Sequence, residues 1–326
     1  MNSMAIRVHE NGGPEVLRWE EVPVPEPGPG EVRLRHRAIG LNFVEIYFRM
    51  GLYPAPHLPY VPGTEAAGVV EALGPGVSEL RVGDRVAYCG GPFGAYCEAR
   101  VIPAKFLVPL PDGIDEATAA ASMLKGLTAH YLLFSTYQVK AGDSILVHAS
   151  AGGVGLILCQ WAKHLGATVI GTVGSEEKAR LAAQHGCDHT ILYYKEDFVA
   201  RVRELTGGKG LPVVYDSVGQ ATFMGSLDCL RPRGLMVSFG QSSGAVPPLN
   251  VGVLSAKGSL YLTRPTLATY AAERDELLAR ARALFDALTR GIVQCEVRQR
   301  FKLKDAAEAH RALASRRTTG SSLLMP

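Results

Sequence analysis

From about Met123 the chain sets short apolar runs at intervals filled by amphipathic stretches. Residues 144–149 (SILVHA), 168–173 (TVIGTV), 189–194, 212–216 and 235–239 have strand length and apolar composition, while residues 154–165 and 176–185 repeat at helical spacing. Strands alternating with helices predict right-handed βαβ units and a parallel sheet covered on both faces. A run at 259–263 supplies a sixth and last strand. Upstream the pattern is different. Strand-like runs at 31–38 (EVRLRHRA), 67–73 and 85–89 alternate with punctuation such as Pro23-Val-Pro-Glu-Pro-Gly-Pro-Gly30, which predicts a β-rich domain. Downstream come a helical stretch over 267–290, a short strand near 297–301 and a helix over 304–315. Because six strands complete the doubly wound sheet, the tail is expected to return to the first domain. The expected fold class is therefore α/β, with residues 1–124 and 266–326 forming the β-rich domain and 125–265 the doubly wound one.

Composition narrows this picture. At 326 residues the chain has room for two or three domains with sizeable cores, without a disulfide or metal staple. Its 36 glycines and 20 prolines exceed a background of about 12%, and with 47% hydrophobic residues the excess reads as turns of a folded chain. Charge is nearly balanced, 34 basic against 31 acidic residues, and the pair Arg316-Arg317 is no basic stripe, so nothing marks a nucleic-acid or membrane surface. The first ten residues carry Arg7 and Glu10 where a signal peptide needs its apolar segment, so a cytoplasmic protein is expected. The six cysteines, Cys89, Cys97, Cys159, Cys187, Cys229 and Cys295, form no CxxC pair and fit reduced thiols better than a disulfide framework or a zinc cluster.

The segment Ser144-Ile-Leu-Val-His-Ala-Ser-Ala-Gly-Gly-Val-Gly155 carries the chemistry. An apolar strand runs into a glycine turn, and the following helix presents backbone N–H groups and its positive dipole end to an anion. Gly152 and Gly153 admit a pyrophosphate, and Gly155 lets helix pack on strand. The context, strand then helix at a first βαβ unit, is the one a dinucleotide site requires. A NAD site would end the second strand in Asp or Glu. Here stands Thr172-Val-Gly-Ser-Glu-Glu-Lys178, with Ser175 and Lys178 placed to hold a 2′-phosphate, which favours NADPH. The alternative is that Glu176 or Glu177 serves as the acid and Lys178 is a solvated lysine.

The chain carries, in this order, Gly12-Gly-Pro-Glu-Val-Leu17, Gly40-Leu-Asn-Phe-Val-Glu-Ile-Tyr47, Gly51-Leu-Tyr53, Gly63-Thr-Glu-Ala-Ala-Gly68, Gly83-Asp-Arg-Val86, Lys125-Gly-Leu-Thr128, Ala149-Ser-Ala-Gly-Gly-Val-Gly155, Tyr215-Asp-Ser-Val-Gly219 and Gly320-Ser-Ser-Leu-Leu324. Through these motifs it resembles, along nearly its whole length, the zinc-independent quinone oxidoreductases, medium-chain dehydrogenase/reductases that include the zeta-crystallins, and among them the bacterial NADPH:quinone reductases. The resemblance implies a GroES-like catalytic domain closed by the C-terminal tail, with a Rossmann domain inserted. It implies NADPH-dependent reduction of a small-molecule quinone in the interdomain cleft, and a homodimer through the edge strand of the Rossmann domain. Zinc-dependent relatives place a Cys near Gly40 and Gly-His-Glu near Gly63. This chain has Asn42 and Gly63-Thr-Glu65 there, so no metal is expected.

Residue roles follow from the same resemblance. Asn42 and Tyr47 stand near the nicotinamide half, with Tyr53 orienting substrate, and Thr128 is the small hydroxyl in the cleft. Gly152, Gly153 and Val154 form the pyrophosphate loop; Gly174, Ser175, Lys178 and Tyr193 form the adenosine-phosphate pocket. Ser217 and Phe239-Gly240-Gln241-Ser242 lie at carboxyl ends of later strands, and Arg264 and Arg316 are basic residues of the cleft. His36, His57 and His148 receive no acid–base role, because a lone histidine near a strand is more often structural. Two other functions share these features: an NADPH-dependent reductase of activated C=C bonds in enones or enoyl thioesters, and an NADPH-binding structural or RNA-associated protein, against which the absent basic stripe counts.

Overall fold

The computed structural model describes residues 1–55 and 57–326. Two compact units divide the chain: residues 1–125, 271–289 and 295–326 form the first, and residues 126–270 and 290–294 the second.

The second unit holds the expected doubly wound sheet. Its six strands, all parallel, lie in the order His189–Leu192, Thr168–Val173, Ser144–Val147, Leu211–Asp216, Leu230–Ser238 and Tyr261–Thr263. Winding therefore reverses between Ser144–Val147 and Leu211–Asp216, and the carboxyl ends of strands at such a reversal are where an open parallel sheet takes its ligand. Central strands read as unbroken apolar runs because both faces are covered: Ile145, Leu146, Val147, Val213 and Val214 are fully buried. One face packs on helices Phe198–Leu205 and Phe223–Asp228 through Val202, Phe223 and Leu227. Each such side chain contributes about 1.5–3 kcal/mol by leaving water.

The first unit is β-rich, as the alternation upstream predicted. Its main sheet runs Val297–Lys302, Ser321–Met325, Glu31–Leu41, Glu65–Leu73, Arg85–Cys89, Val108–Pro109, with Ala99–Pro103 also pairing with Glu31–Leu41; Asn2–Val8 and Leu17–Pro23 pair separately. Strand Glu31–Leu41 organises the unit. Residues Glu31 to Arg35 pair with Ala99–Pro103, and Ile39 to Leu41 pair antiparallel with the C-terminal strand.

Several boundaries differ from the sequence expectation, each for a local reason. The strand expected at 259–263 starts at Tyr261, because Ser259 adopts a left-handed φ of 56°. Ala149, at φ 52°, likewise ends the first Rossmann strand early, at Val147. The helix expected over 267–290 is two, Leu267–Tyr270 and Arg274–Thr289, broken where the chain passes from one unit to the other at Ala271. Strand Ser321–Met325 was not expected: its residues Ser321 to Leu324 are all buried and show no polar alternation. Among the described residues, no helix is long and apolar enough to cross a membrane.

Candidate cofactor and substrate site

In the second unit, strand Ser144–Val147 runs through Ala149 to Gly152, the N-cap of helix Gly153–His164. No side chain caps this helix, so its first N–H groups and the positive end of its dipole stand open to an anion. The glycines are steric requirements. A Cβ on Gly155 would lie 2.4 Å from the Ala149 carbonyl oxygen and 2.8 Å from the Ser150 backbone, and one on Gly152 3.1 Å from the same oxygen. Gly152, Gly153 and Val154 thus lie together at this helix start, the Gly152 N–H donating to the Ala149 carbonyl at 2.9 Å and the next N–H groups facing the side where an anion is favoured.

The neighbouring strand Thr168–Val173 ends in Gly174. A Cβ on Gly174 would meet the Tyr193 hydroxyl at 2.5 Å, so the glycine lets this half-exposed tyrosine close over the strand end. Ser175 caps helix Glu176–Gln184, its Oγ accepting from the Lys178 N–H at 3.2 Å. Gly174, Ser175, Lys178 and Tyr193 are therefore brought to one place. The carboxylate of Glu176 pairs with the Lys195 ammonium at 2.8 Å.

Across the reversal of winding, buried Asp216 shapes the next loop. Its Oδ1 accepts from the N–H groups of Val218 (2.7 Å) and Gly219 (3.0 Å), and its Oδ2 from the hydroxyls of Thr222 (2.7 Å) and Ser226 (2.9 Å). Ser217 is thereby presented at the strand end. Beside it the Ser217 carbonyl accepts from the Ser242 N–H at 3.2 Å, and a Cβ on Gly240 would lie 2.6 Å from that carbonyl oxygen. Gln241 packs over Gly219, whose φ is 87°. Arg264 donates to the Ser238 carbonyl at 2.9 Å, at the end of the same strand as Phe239, Gly240, Gln241 and Ser242. Thr128 is buried in helix Glu116–Tyr131, on the part of that helix that belongs to this unit.

The first unit contributes a different kind of site. Asn42 ends strand Glu31–Leu41 and caps helix Phe43–Arg49, and Glu45 Oε2 accepts from the Asn42 N–H at 2.9 Å. That helix carries Tyr47, whose ring meets Tyr53 edge-on at 5.2 Å, so these two predicted residues share one aromatic patch. The Asn42 amide is held at both ends: Nδ2 donates to Glu65 Oε2 at 2.9 Å, and Oδ1 accepts from Lys125 Nζ at 2.8 Å. Glu65 is fully buried, accepts from the Leu124 N–H at 2.6 Å through Oε1, and lies 3.5 Å from Lys125 Nζ through Oε2. Glu45 is also fully buried, with Oε1 accepting from the Thr64 hydroxyl at 2.9 Å. Burial pushes its carboxyl up to about 7. Arg316 belongs to this unit too, in an exposed turn at φ 58° after helix Ala306–Ala314.

Glu45, Glu65 and Lys125 were not singled out from the sequence. Each sits inside a motif noted there, in the Gly40, Gly63 and Lys125 stretches, but a lone Glu or Lys in a run carries no signal of burial. The histidines left unassigned are structural. His36 Nδ1 donates to the Cys97 carbonyl at 2.8 Å and Nε2 accepts from the Tyr88 hydroxyl at 3.0 Å; burial lowers its pKa to about 3. His148 bridges Thr172 and Ser226 and is likewise lowered by burial. His57 is exposed and bonds the Pro59 carbonyl.

Comparison with known proteins adds to this geometry. Residues 28–112 match the alcohol dehydrogenase GroES-like domain and residues 153–278 the zinc-binding dehydrogenase family. The chain is 59% identical over 315 residues to a quinone oxidoreductase of Pseudomonas aeruginosa, covering 97% of each chain. It is 49% identical to a 2-haloacrylate reductase of a Burkholderia species, covering 99% of each. The crystal structure of Escherichia coli quinone oxidoreductase complexed with NADPH superposes with a TM-score of 0.98 at 50% identity, covering 99% of this chain and 100% of that one.

Proposed function

We propose that this chain, which belongs to the quinone oxidoreductase family, reduces quinones with NADPH. The observation that carries the cofactor choice is the end of strand Thr168–Val173. Gly174, Ser175, Lys178 and Tyr193 lie there for a 2′-phosphate, and the carboxylate of Glu176 pairs at the surface with Lys195. When bound, NADPH supplies a hydride from nicotinamide C4, which with one proton converts a quinone to its hydroquinone.

The chain's own residues bind and orient. Backbone N–H groups of Gly153 and Val154 take the pyrophosphate at the helix N-terminus, with Gly152, whose own N–H is held by the Ala149 carbonyl, giving the close approach beside them. Ser217, Phe239, Gly240, Gln241, Ser242 and Arg264 serve the strand ends along the cofactor, with Thr128 and Arg316 as further cofactor contacts. Asn42, Tyr47 and Tyr53 orient the nicotinamide end and the quinone. A quinone is already electrophilic and becomes aromatic on reduction, so orientation accounts for catalysis without a Lewis acid. The proton comes from water. In this reading the first unit is the catalytic domain and the second the NADPH domain, with the expected boundaries moved so that Lys125 belongs to the first and residues 266–270 and 290–294 to the second.

A second substrate class is favoured by one relative, the 2-haloacrylate reductase: hydride addition to an activated C=C bond. Steady-state turnover of 1,4-benzoquinone, a simple enone and an enoyl thioester, each with NADPH and NADH, tests both. Rapid benzoquinone reduction preferring NADPH is expected; turnover confined to the thioester would overturn the quinone assignment.

We infer a cytoplasmic protein that forms a homodimer. Strand Tyr261–Thr263 ends the parallel sheet with Tyr261 63% and Leu262 37% exposed, an edge suited to pairing with its copy about a twofold axis. Light scattering at micromolar protein should give a dimer, and a monomer there refutes this assembly.

A further inference from the structure

Lysine can only donate hydrogen bonds and a carboxylate only accept them, so the Asn42 amide between Lys125 and Glu65 has one permitted orientation. Flipping it would set the NH₂ against the ammonium and the carbonyl oxygen against the carboxylate. Lys125 Nζ and Glu65 Oε2, 3.5 Å apart, close the ring, so neither partner turns independently. Glu65 is anchored from its other oxygen by the Leu124 N–H, next to Lys125 in the chain. Room for its carboxylate comes from Gly40: a Cβ there would lie 2.1 Å from Glu65 Oε2 and 2.7 Å from the Ala120 carbonyl oxygen. Three separated motifs therefore meet in one buried cluster: Gly40-Leu-Asn42, Gly63-Thr-Glu65 and Lys125-Gly-Leu-Thr128.

Such a cluster is a costly way to hold a fold. Lys125 and Glu65 are 6% and 0% exposed, and a buried ion pair commonly contributes no more stability than apolar side chains of the same volume. What it supplies is a fixed direction for one amide.

We propose that Lys125 and Glu65 are positioning residues for quinone reduction, acting through Asn42. By fixing which face of the Asn42 amide is donor and which is acceptor, they set the polarity that meets the nicotinamide and the substrate. This rests on the role proposed above for Asn42. It makes Lys125 matter to turnover and little to the binding of NADPH, whose phosphates and adenosine are assigned to the second unit.

A double-mutant cycle tests it. Asn42→Ala and Lys125→Met are each expected to lower kcat for 1,4-benzoquinone about 30-fold, with the NADPH Kd, read by nicotinamide fluorescence, changed less than about threefold. If Lys125 acts through Asn42, the double variant loses about as much as either single one; losses that multiply would overturn the proposal. Lys125→Gln keeps a donor for Asn42 Oδ1 without the charge and should recover at least half of the lost logarithm of kcat. Equal loss in Lys125→Gln and Lys125→Met at unchanged melting temperature would also overturn it. Should Lys125→Met fail to fold, the Gln variant carries the cycle alone, and multiplicative losses again decide against the proposal. Absence of quinone turnover in the wild-type protein refutes the proposed function instead, so the two failures are distinguishable.

Discussion

The two units build their sites from opposite materials. In the second, the contacts offered to a ligand come from backbone: an uncapped helix, glycines with no room for a Cβ, and strand-end loops tied by Asp216. In the first they come from buried ionisable side chains around Asn42. A backbone cradle recognises a phosphate of fixed charge and is indifferent to pH. A buried carboxylate–ammonium cluster can hold an amide in one orientation, and beside it burial pushes the Glu45 carboxyl up to about 7. On the function proposed above, binding and chemistry would have separate sensitivities within one chain.

The largest expected effect sharpens that contrast through pH. Glu45 has its folded pKa raised from 4.5 to about 7, so between these values the native state holds a proton the unfolded chain has lost. Its contribution to stability falls as pH rises through that window and is constant above it. Glu45→Gln removes this slope, and between pH 4.5 and 8 its stability should gain on wild type by on the order of 3 kcal/mol in urea unfolding. Parallel curves for the two proteins would break the contrast. His36 and His310, both lowered to about 3 by burial, act in the opposite sense, stabilising above about 6.5 and losing that contribution as pH falls toward 3.

Next comes Gly155→Ala in the backbone-built site. Its Cβ would meet the Ala149 carbonyl at 2.4 Å, forcing the helix off the loop, and NADPH affinity should drop about 100-fold, roughly 2.7 kcal/mol. Isothermal titration with unchanged affinity would show that the cradle does not hold the cofactor. Gly40→Ala should do the reverse, displacing Glu65 and lowering kcat about 30-fold while the NADPH Kd stays within threefold. A matching loss of affinity would erase the distinction between the sites. Smallest is Lys178→Ala, which should weaken NADPH about 10-fold, roughly 1.4 kcal/mol, and leave NADH unchanged. Equal losses for both cofactors would remove Lys178 from the 2′-phosphate.

This contrast also explains what was legible in the sequence. The backbone-built site writes itself into the chain, because only glycine tolerates its close approaches and apolar runs mark the strands on either side. Gly152 and Gly155 could be read accordingly, whereas Gly174 and Gly240 were reached through the resemblance. The side-chain cluster does not. Glu45, Glu65 and Lys125 are ordinary residue types whose burial depends on partners up to 83 positions away, as between Asn42 and Lys125. Resemblance reached Asn42 without its neighbours. Strand Ser321–Met325 was missed for a related reason, since burial of its residues on both sides removes the alternation that betrays a strand.

That strand has a consequence in time. It is the neighbour of Ile39 to Leu41, the stretch leading into Asn42, yet it lies about 280 residues later in the chain. At about 5–20 residues per second of synthesis, the nascent first unit waits roughly 15–60 s for this sheet partner. The second unit has all six of its strands between Ser144 and Thr263, and its sheet can close earlier. The half that carries helix Gly153–His164 can close first, and the half that holds Asn42 waits for its last strand.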